Sequence, residues 1–252
     1  MNRLQQLPTF GQSVWLDYIR CDLMASGQLD RLIREDGIRG LTSNPAIFEK
    51  AIGGTDLYDA ALGTAVQAGL SEPEALYEHL AIADIRAAAD HFRPVYDRSE
   101  GADGFVSLEV SPRLANDADG TVAEAMRLWA DVDRPSLMIK MPGTPNGVTA
   151  LPRLLARGIS VNVTLLFARS AYRAIAEAWL AGLEQWVAGG GEAGRVASVA
   201  SFFVSRIDAA ALAAVLVVLA NLKQANFSLT VIVVIALALV AIWDRTIPLV
   251  PA

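Results

Sequence analysis

The sequence has few of the residues that build disulfide frameworks and metal centres. Its 252 residues include one cysteine, Cys21, and two histidines, His79 and His91. A single cysteine forms no internal disulfide and fits a reducing compartment. The two histidines lie twelve residues apart, so they do not fall on adjacent turns of one helix. We therefore expect neither a disulfide framework nor a metal site.

The chain also lacks a basic excess, an export signal and a nucleotide-binding motif. Its formal net charge is −6 and no basic stripe is visible, so we expect no nucleic-acid partner. The first ten residues, MNRLQQLPTF, contain no apolar core of signal-peptide length. No glycine-rich stretch has the spacing of a nucleotide fingerprint. These absences favour a cytoplasmic protein, and 252 residues suit a single α/β barrel.

Six short apolar runs recur along the chain, and helical segments separate them. The runs start at residues 13, 38, 104, 136, 159 and 195, which leaves intervals of 25, 66, 32, 23 and 36 residues. Helices are predicted at 28–34, 47–96 (for the most part), 121–131, 149–157 and 170–187. Apart from the long second interval, this is the rhythm of strand–helix units, which predicts a parallel sheet.

Polar residues stand near the carboxyl ends of the predicted strands. They are Asp17, Asn44, Glu109, Lys140, Asn162, Thr164 and Ser201. In a parallel barrel the carboxyl ends of the strands share one face, and active sites lie on that face. One such residue means little, but the same feature on six strands predicts a pocket.

Lys140 is the residue around which this pocket is organised. It lies near the end of an apolar run that stops at the Pro142-Gly143 turn. An ammonium is costly to bury there, and a desolvated lysine is partly neutral and therefore nucleophilic. The alternative is an ordinary strand-end lysine whose tip reaches water.

A lysine with two carboxylates suits Schiff-base chemistry on a ketone. Lys140 would form an iminium, which draws electrons out of the neighbouring carbon–carbon bond. Asp17, expected to be buried, would take the proton from the hydroxyl whose carbon leaves as an aldehyde. Glu109 would position or activate the water that is released when the imine forms and consumed when it breaks. The other strand-end groups would bind sugar hydroxyls, and Arg206 would bind a phosphate. The alternatives are that Asp17 caps a helix, Asn44 holds a turn and Arg206 is a surface charge.

Several ordered motifs resemble those of the transaldolase family. They are SVWLDYIRCDL, GLTSNPAIF, VSLEVSP, SLMIKMPGTPNG, GISVNVTLLFA and ASFFVSRID, and the resemblance runs from about residue 8 to residue 208. It implies an α/β fold, a (β/α)8 TIM barrel of the class I aldolase group, and the long second interval resembles the longer bacterial branch. The implied reaction moves a dihydroxyacetone unit from sedoheptulose 7-phosphate or fructose 6-phosphate to an aldose phosphate, in the pentose phosphate pathway.

The resemblance also implies roles for individual residues. Lys140 matches the Schiff-base lysine, Asp17 the acid/base and Glu109 the water-orienting residue, and Thr164 completes the catalytic set. The substrate-binding residues that it implies are Asn44, Asn162, Ser201, Phe203 and Arg206. It implies sugar phosphate substrates and no metal or organic cofactor. A simpler aldolase that cleaves fructose 6-phosphate and releases free dihydroxyacetone is the alternative enzyme.

After Asp208 the resemblance ends, although a complete barrel needs two more strands. Only 44 residues follow, and the 20 uncharged residues from Gln224 to Trp243 meet the threshold for a membrane-spanning helix. We expect a barrel-like domain at 1–208 that lacks its last strands, and a hydrophobic helical tail at 209–252. The tail is then the result of a frameshift or fusion, a membrane anchor, or a replacement for the missing strands through residues 215–219 and 231–235.

An incomplete barrel has a functional consequence of its own. An open sheet exposes an apolar edge, which invites pairing with another chain. This predicts a homo-oligomer. The alternative to an enzyme is a catalytically inactive fragment that is membrane-tethered or self-associating.

Overall fold

A sheet of six parallel strands forms the centre of the described part of the chain. The computed structural model describes residues 2–204, together with Ala209 and Leu212. The strands are β1 (Val14–Asp17), β2 (Ile38–Thr42), β3 (Val106–Glu109), β4 (Leu137–Pro142), β5 (Val161–Leu166) and β6 (Ser198–Phe202). Each strand pairs in parallel with the next one along the chain. The predicted α/β fold with six parallel strands is therefore confirmed, and the sheet is curled into a half-barrel.

One short helix precedes β1, and the other described helices occupy the connections between the strands. The helices are α1 (Arg3–Gln6), α2 (Cys21–Ala25), α3 (Gln28–Arg31), α4 (Pro45–Gly53), α5 (Asp59–Gln67), α6 (Pro73–Arg98), α7 (Ala118–Val132), α8 (Pro145–Leu155) and α9 (Arg169–Ala188). A π-helical turn spans Leu32–Asp36, and 3-10 turns span Leu7–Phe10, Pro112–Leu114 and Ala193–Arg195. The long interval between β2 and β3 holds α4, α5 and α6, so its predicted helical character is confirmed.

Helix α8 begins at Pro145, ahead of the start predicted at Thr149. The Thr144 hydroxyl accepts a hydrogen bond from the Gly147 N–H at 3.1 Å, and Pro145 occupies the first turn. Both are helix-start signals, because the hydroxyl satisfies an orphan N–H and proline needs no donor there. A Cβ at position 147 would clash with the Pro142 carbonyl oxygen, so glycine allows α8 to approach the end of β4.

Side chains alternate along β4 between the helix-covered core and the concave face of the sheet. The main hydrophobic core takes every second residue of the strand, namely Leu137, Ile139 and Met141. Because successive side chains of a strand point to opposite faces, Met138 and Lys140 belong to the concave face. A cavity of about 470 Å³ lies on that face and is lined by Met138, Trp15, Thr42, Asn162 and Ser201, among others.

The described fold belongs to one part of the chain. Contacts between Cα atoms divide the chain into two units, Met1–Phe202 and Phe203–Ala252, and all six strands lie in the first. The predicted span at 224–243 and the stretches at 215–219 and 231–235 lie outside the described residues, as does Arg206. The boundary expected at residue 208 stays a prediction. None of the helices described above is long and apolar enough to cross a membrane.

A buried carboxylate joins α6 to the segment that precedes α5. The Tyr58 hydroxyl donates a hydrogen bond to Asp84 Oδ2 at 2.6 Å, and its oxygen accepts one from the Cys21 N–H at 2.9 Å. Tyr58 is 2% exposed and Asp84 is 6% exposed. Burial raises the pKa of Asp84 to about 6, the hydrogen bond from Tyr58 opposes this rise, and the Asp22 carboxylate adds to it. Asp84 therefore holds a proton more firmly than an ordinary aspartate.

We expect the Asp84→Asn variant to gain stability, relative to the wild type, as the pH rises from about 4 to about 7. The folded protein retains the Asp84 proton to about pH 6, whereas the unfolded chain loses it near 3.8. The stability that this proton contributes is complete below the unfolded-state pKa and is lost as the pH passes the folded-state pKa. Asparagine does not titrate, and its amide oxygen still accepts the Tyr58 bond. The difference in unfolding free energy should change by on the order of 2 kcal/mol.

Urea denaturation of both proteins across this pH range measures that difference. Asp59→Asn is the matched control, because Asp59 is an exposed carboxylate in the first turn of α5. A difference between Asp84→Asn and wild type that stays constant with pH would contradict a buried, proton-retaining Asp84.

Candidate active site

Lys140 lies buried near the carboxyl end of β4. Its Nζ donates a hydrogen bond to the Ser43 carbonyl oxygen at 3.0 Å and lies 3.3 Å from Glu109 Oε2. The Lys140 side chain is 7% exposed and the Glu109 side chain is 17% exposed. The alternative that the lysine tip reaches water is therefore wrong. An unpaired ammonium would be costly at this depth, and the carboxylate and the carbonyl offset that cost.

Strand register brings Lys140 and its neighbours together. Glu109 is the Cα partner of Lys140 between β3 and β4, and Asn162 is its Cα partner between β4 and β5. Residues opposed in this way project to the same face of a parallel sheet. Three of the residues predicted for the site thus stand in one row across neighbouring strands.

A chain of hydrogen bonds holds the Asn162 side chain from both ends. Its Nδ2 donates to Ser107 Oγ at 3.1 Å, and its Oδ1 accepts from the Ser201 hydroxyl at 2.7 Å. These bonds link β3, β5 and β6 across the concave face. Because Asn162 is buried, its amide is fixed in one orientation.

Glu109 sits in an environment that favours its protonated form. Burial raises the pKa of Glu109, Lys140 opposes the rise, and the Asp17 carboxylate adds to it. The same glutamate lines a cleft of about 630 Å³ between α6 and α7, together with Tyr77, Ser111 and Glu124. Burial, with help from the Glu109 charge, raises the pKa of Tyr77 to about 12, so that hydroxyl remains a donor. Glu109 therefore connects the lysine to an opening at the protein surface.

Asp17 occupies the end of β1, where the structure differs from the expectation. The residue is exposed, so its expected burial is wrong. Within the described residues β1 has a strand neighbour on one side only, which leaves its last residue open to solvent. The Asp17 carboxylate contributes to the raised pKa of Glu109, so the two carboxylates lie within electrostatic range of each other.

Asn44 stands between β2 and α4 and serves as the N-cap of that helix. Its Oδ1 accepts a hydrogen bond from the Ile47 N–H at 3.0 Å. This geometry supports the alternative in which Asn44 holds a local turn. Its amide nitrogen has no partner among the described residues, so a substrate contact stays a prediction.

The comparison with known proteins agrees with this geometry. The model of the transaldolase/fructose-6-phosphate aldolase family matches residues 14–231. The chain belongs to this family. The match extends beyond Asp208, where the quoted motifs end.

Three relatives illustrate the similarity. A transaldolase of Trichodesmium erythraeum is 47% identical over 207 residues, which are 82% of this chain and 54% of the relative. A transaldolase of Thermobifida fusca is 52% identical over 205 residues, 81% of this chain and 55% of the relative. A transaldolase of Thiobacillus denitrificans is 47% identical over 210 residues, 83% of this chain and 58% of the relative. The chain thus spans about half the length of the curated relatives it matches.

The remaining residues of the set implied by the transaldolase resemblance have different surroundings. Thr164 is 1% exposed and its hydroxyl has no hydrogen-bond partner in the described part of the chain. Burying such a hydroxyl costs free energy unless water or a ligand binds it.

Two further residues of the implied set lie at or beyond the end of the described sheet. Phe203 directly follows β6 and belongs to the second unit, and Arg206 lies outside the described residues. Among the described side chains, no group of three His, Cys, Asp or Glu is placed to hold a metal ion.

Three polar residues in or beside the site were missed by the sequence analysis. Ser43 supplies the carbonyl for Lys140, Ser107 binds Asn162, and Thr42 carries a second buried hydroxyl without a partner in the described residues. Ser107 precedes Glu109 by two residues, so strand periodicity alone places both on one face. No sequence signal identifies Ser43, because its contribution to the site is a backbone atom.

We expect the Lys140→Met variant to be destabilised more at pH 8 than at pH 5, relative to wild type. Burial raises the pKa of Glu109, and Lys140 opposes the rise. Without the lysine, the Glu109 carboxyl should therefore keep its proton to a higher pH in the folded state. The stability from that proton is complete below the unfolded-state pKa and is lost as the pH rises through the folded-state pKa. The extra loss at pH 8 should be roughly 1–3 kcal/mol, since Glu109 is partly exposed. Chemical denaturation at both pH values measures it.

The double variant Lys140→Met/Glu109→Gln is the control for this measurement. It removes the Glu109 carboxyl together with the lysine. The extra loss of unfolding free energy that Lys140→Met shows at pH 8 should therefore be absent from the double variant. If Lys140→Met were destabilised equally at both pH values, the coupling between the two side chains would be refuted.

Proposed function

We propose that the chain acts as a transaldolase, which transfers a dihydroxyacetone unit between sugar phosphates through a Schiff base on Lys140. The observation that carries the proposal is a buried lysine amine 3.3 Å from a carboxylate, at the carboxyl ends of parallel strands. The relatives' own names, each of them transaldolase, support the same reaction.

The reaction begins when the neutral amine of Lys140 attacks the C2 carbonyl of a ketose phosphate and water leaves. The resulting iminium draws the electron pair of the C3–C4 bond, which breaks to give an enamine on the lysine and an aldehyde. The enamine then attacks the aldehyde of a second sugar phosphate, and water hydrolyses the new imine. Sedoheptulose 7-phosphate and glyceraldehyde 3-phosphate would give erythrose 4-phosphate and fructose 6-phosphate, a step of the pentose phosphate pathway in the cytoplasm.

Glu109 is the group that would take the proton of the Lys140 ammonium. It would also position the water that is released when the imine forms and consumed when it is hydrolysed. Its Oε2 lies 3.3 Å from Lys140 Nζ, within reach for proton transfer. Burial raises its pKa, which makes it a better proton acceptor than an exposed carboxylate. The cleft that it lines offers a route for water. These three features support the role.

Asp17 is the second carboxylate and would act on the carbon–carbon bond. Cleavage needs a base that takes the proton from the C4 hydroxyl as that carbon becomes an aldehyde. The position of Asp17 at the end of β1, within electrostatic range of Glu109, supports this assignment. Its exposure leaves room for the hydroxyl of a bound sugar beside it.

Neutral side chains and one arginine would bind the rest of the substrate. Thr164 offers a buried hydroxyl without a partner among the described residues, and Asn162 and Ser201 form a fixed pair on the same face. Asn44 retains a free amide nitrogen in that part of the structure. Arg206 would bind the phosphate through its bidentate fork and Phe203 would line the sugar site, as the resemblance implies.

An aldolase that releases free dihydroxyacetone is a second candidate, because the matched family includes fructose-6-phosphate aldolase. The two reactions share the lysine chemistry and differ in the fate of the enamine. Incubation with fructose 6-phosphate alone distinguishes them. Free dihydroxyacetone that accumulates without an aldehyde acceptor would indicate the aldolase.

Borohydride trapping tests the proposal directly. After incubation with fructose 6-phosphate and reduction, we expect mass spectrometry to find a three-carbon adduct on Lys140, because the reduced imine is a stable amine. Lys140→Ala should abolish the adduct completely. Lys50→Ala is the matched control and should retain it, since Lys50 is an exposed lysine in α4. Folded wild-type protein without an adduct would refute the activity.

The Asp17→Asn variant tests the division of labour between the two carboxylates. We expect it to form the imine but to cleave the carbon–carbon bond roughly 100-fold more slowly, since general base catalysis contributes about that much. Trapping with borohydride should therefore give mainly the six-carbon adduct, in place of the three-carbon one. An unchanged ratio of the two adducts would remove Asp17 from the cleavage step.

A further inference from the structure

Helix α2 begins beside the candidate site without a cap of its own. Its N-cap residue, Arg20, makes no side-chain hydrogen bond to the first turn, and the Cys21 N–H is instead bound by the Tyr58 oxygen at 2.9 Å. Tyr58 lies 37 residues further along the chain. The first N–H groups of a helix have no partner within the helix, and a partly buried one needs another. Tyr58 thus takes the place of a local capping side chain.

Asp84 fixes the direction of the Tyr58 hydroxyl. Its Oδ2 accepts the phenolic proton at 2.6 Å, which leaves a lone pair of the phenolic oxygen for the Cys21 N–H. Both side chains are buried, and hydrogen bonds in such surroundings hold their partners firmly. The three groups form one connected unit from α6 to the start of α2.

The bound N–H lies close along the chain to Asp17. Residues 18–20 alone separate Asp17, the last residue of β1, from Cys21. Ile19 is fully buried, and the Arg20 guanidinium is paired with Asp22 at 2.6 Å and 2.7 Å. With its middle and its far end anchored, this segment has little freedom to move. The position of the Cys21 backbone therefore helps to set the position of Asp17.

Tyr58 also packs against the helix that follows Asn44. Tyr58, Ala51 and Leu80 form a small hydrophobic cluster of their own, apart from the main core, and Cys21 packs against it. Ala51 belongs to α4, whose N-cap is Asn44. Two segments that carry predicted site residues thus meet at this one tyrosine.

We infer that Tyr58, oriented by Asp84, is a positioning residue that holds Asp17 in the site through the backbone of residues 18–21. The inference rests on the proposed function, because it depends on Asp17 acting in carbon–carbon bond cleavage. Tyr58 is not expected to touch the reacting atoms. Its loss should therefore slow the cleavage step and spare the earlier attack by Lys140. A residue with a merely structural role would lower both steps in proportion.

The Tyr58→Phe variant tests this difference. It keeps the ring in the small cluster and removes the oxygen that binds the Cys21 N–H. We expect the ratio of six-carbon to three-carbon adduct on Lys140, trapped by borohydride with fructose 6-phosphate, to rise about tenfold, because small misplacements of catalytic groups cost at least that much. Total adduct should stay near the wild-type amount.

Tyr96→Phe is the matched control, because Tyr96 is half-buried in the same helix as Asp84, packs edge-on against Phe105 and has no part in the proposed site. It should leave the ratio unchanged. The double variant Tyr58→Phe/Asp84→Asn repeats the test without a lone buried carboxylate, in case the single variant folds poorly. In both Tyr58 variants, amide hydrogen exchange at Cys21 should be at least roughly tenfold faster than in wild type, whereas exchange in β4 should not change.

The outcomes separate the inference from the function on which it rests. A shifted ratio together with faster exchange at Cys21 supports the positioning role. A wild-type adduct with an unshifted ratio in folded Tyr58→Phe overturns the positioning role and leaves the transaldolase proposal standing. A folded wild-type protein that forms no adduct overturns the proposed function, and the role assigned to Tyr58 in it fails as well.

Discussion

The burial of one ammonium group is the constraint on which the concave face of this protein depends. Lys140 Nζ lies among apolar strands, and in the described part of the chain its charge is stabilised by Glu109 and the Ser43 carbonyl. These partners come from the strand on one side and from the loop after the strand beyond it. In the proposed reaction this amine must give up its proton before it attacks a carbonyl, and Glu109 is the adjacent group that would take it. Stability and reactivity at this position are two consequences of the same arrangement.

The parallel register of the strands brings residues that are far apart in the sequence together in one site. Glu109, Lys140 and Asn162 are separated by long helical connections in the chain, yet they are direct partners in the sheet. The hydrogen bonds from Ser107 through Asn162 to Ser201 then fix the uncharged part of the same face. The protein thus combines an ion pair that can exchange a proton with a neutral network that holds its shape. The reaction proposed above, on a ketose with one carbonyl and several hydroxyls, would use both.

The sequence predicted the features that follow from local periodicity and missed the contacts between residues that are far apart in the chain. All six strands were found, because short apolar runs bounded by turns repeat at strand–helix spacing. Lys140 and Glu109 were singled out because a charge near the end of such a run is unusual. The burial expected of Asp17 was wrong, since exposure depends on what stands beside β1. The Ser43 carbonyl and the link from Asp84 through Tyr58 to Cys21 have no local pattern, because they join groups far apart in the chain.

The order of the strands has a consequence for how the chain folds. Each strand from β2 to β6 pairs with the strand that precedes it along the chain, so each new strand–helix unit finds its partner already formed. Contacts of this kind have short sequence separations for a parallel sheet, which lowers the entropy lost in closing each loop. The sheet can therefore grow from its amino-terminal side as the polypeptide leaves the ribosome. The lysine and its carboxylate would then meet as soon as the fourth unit docks, well before the last residues are synthesised.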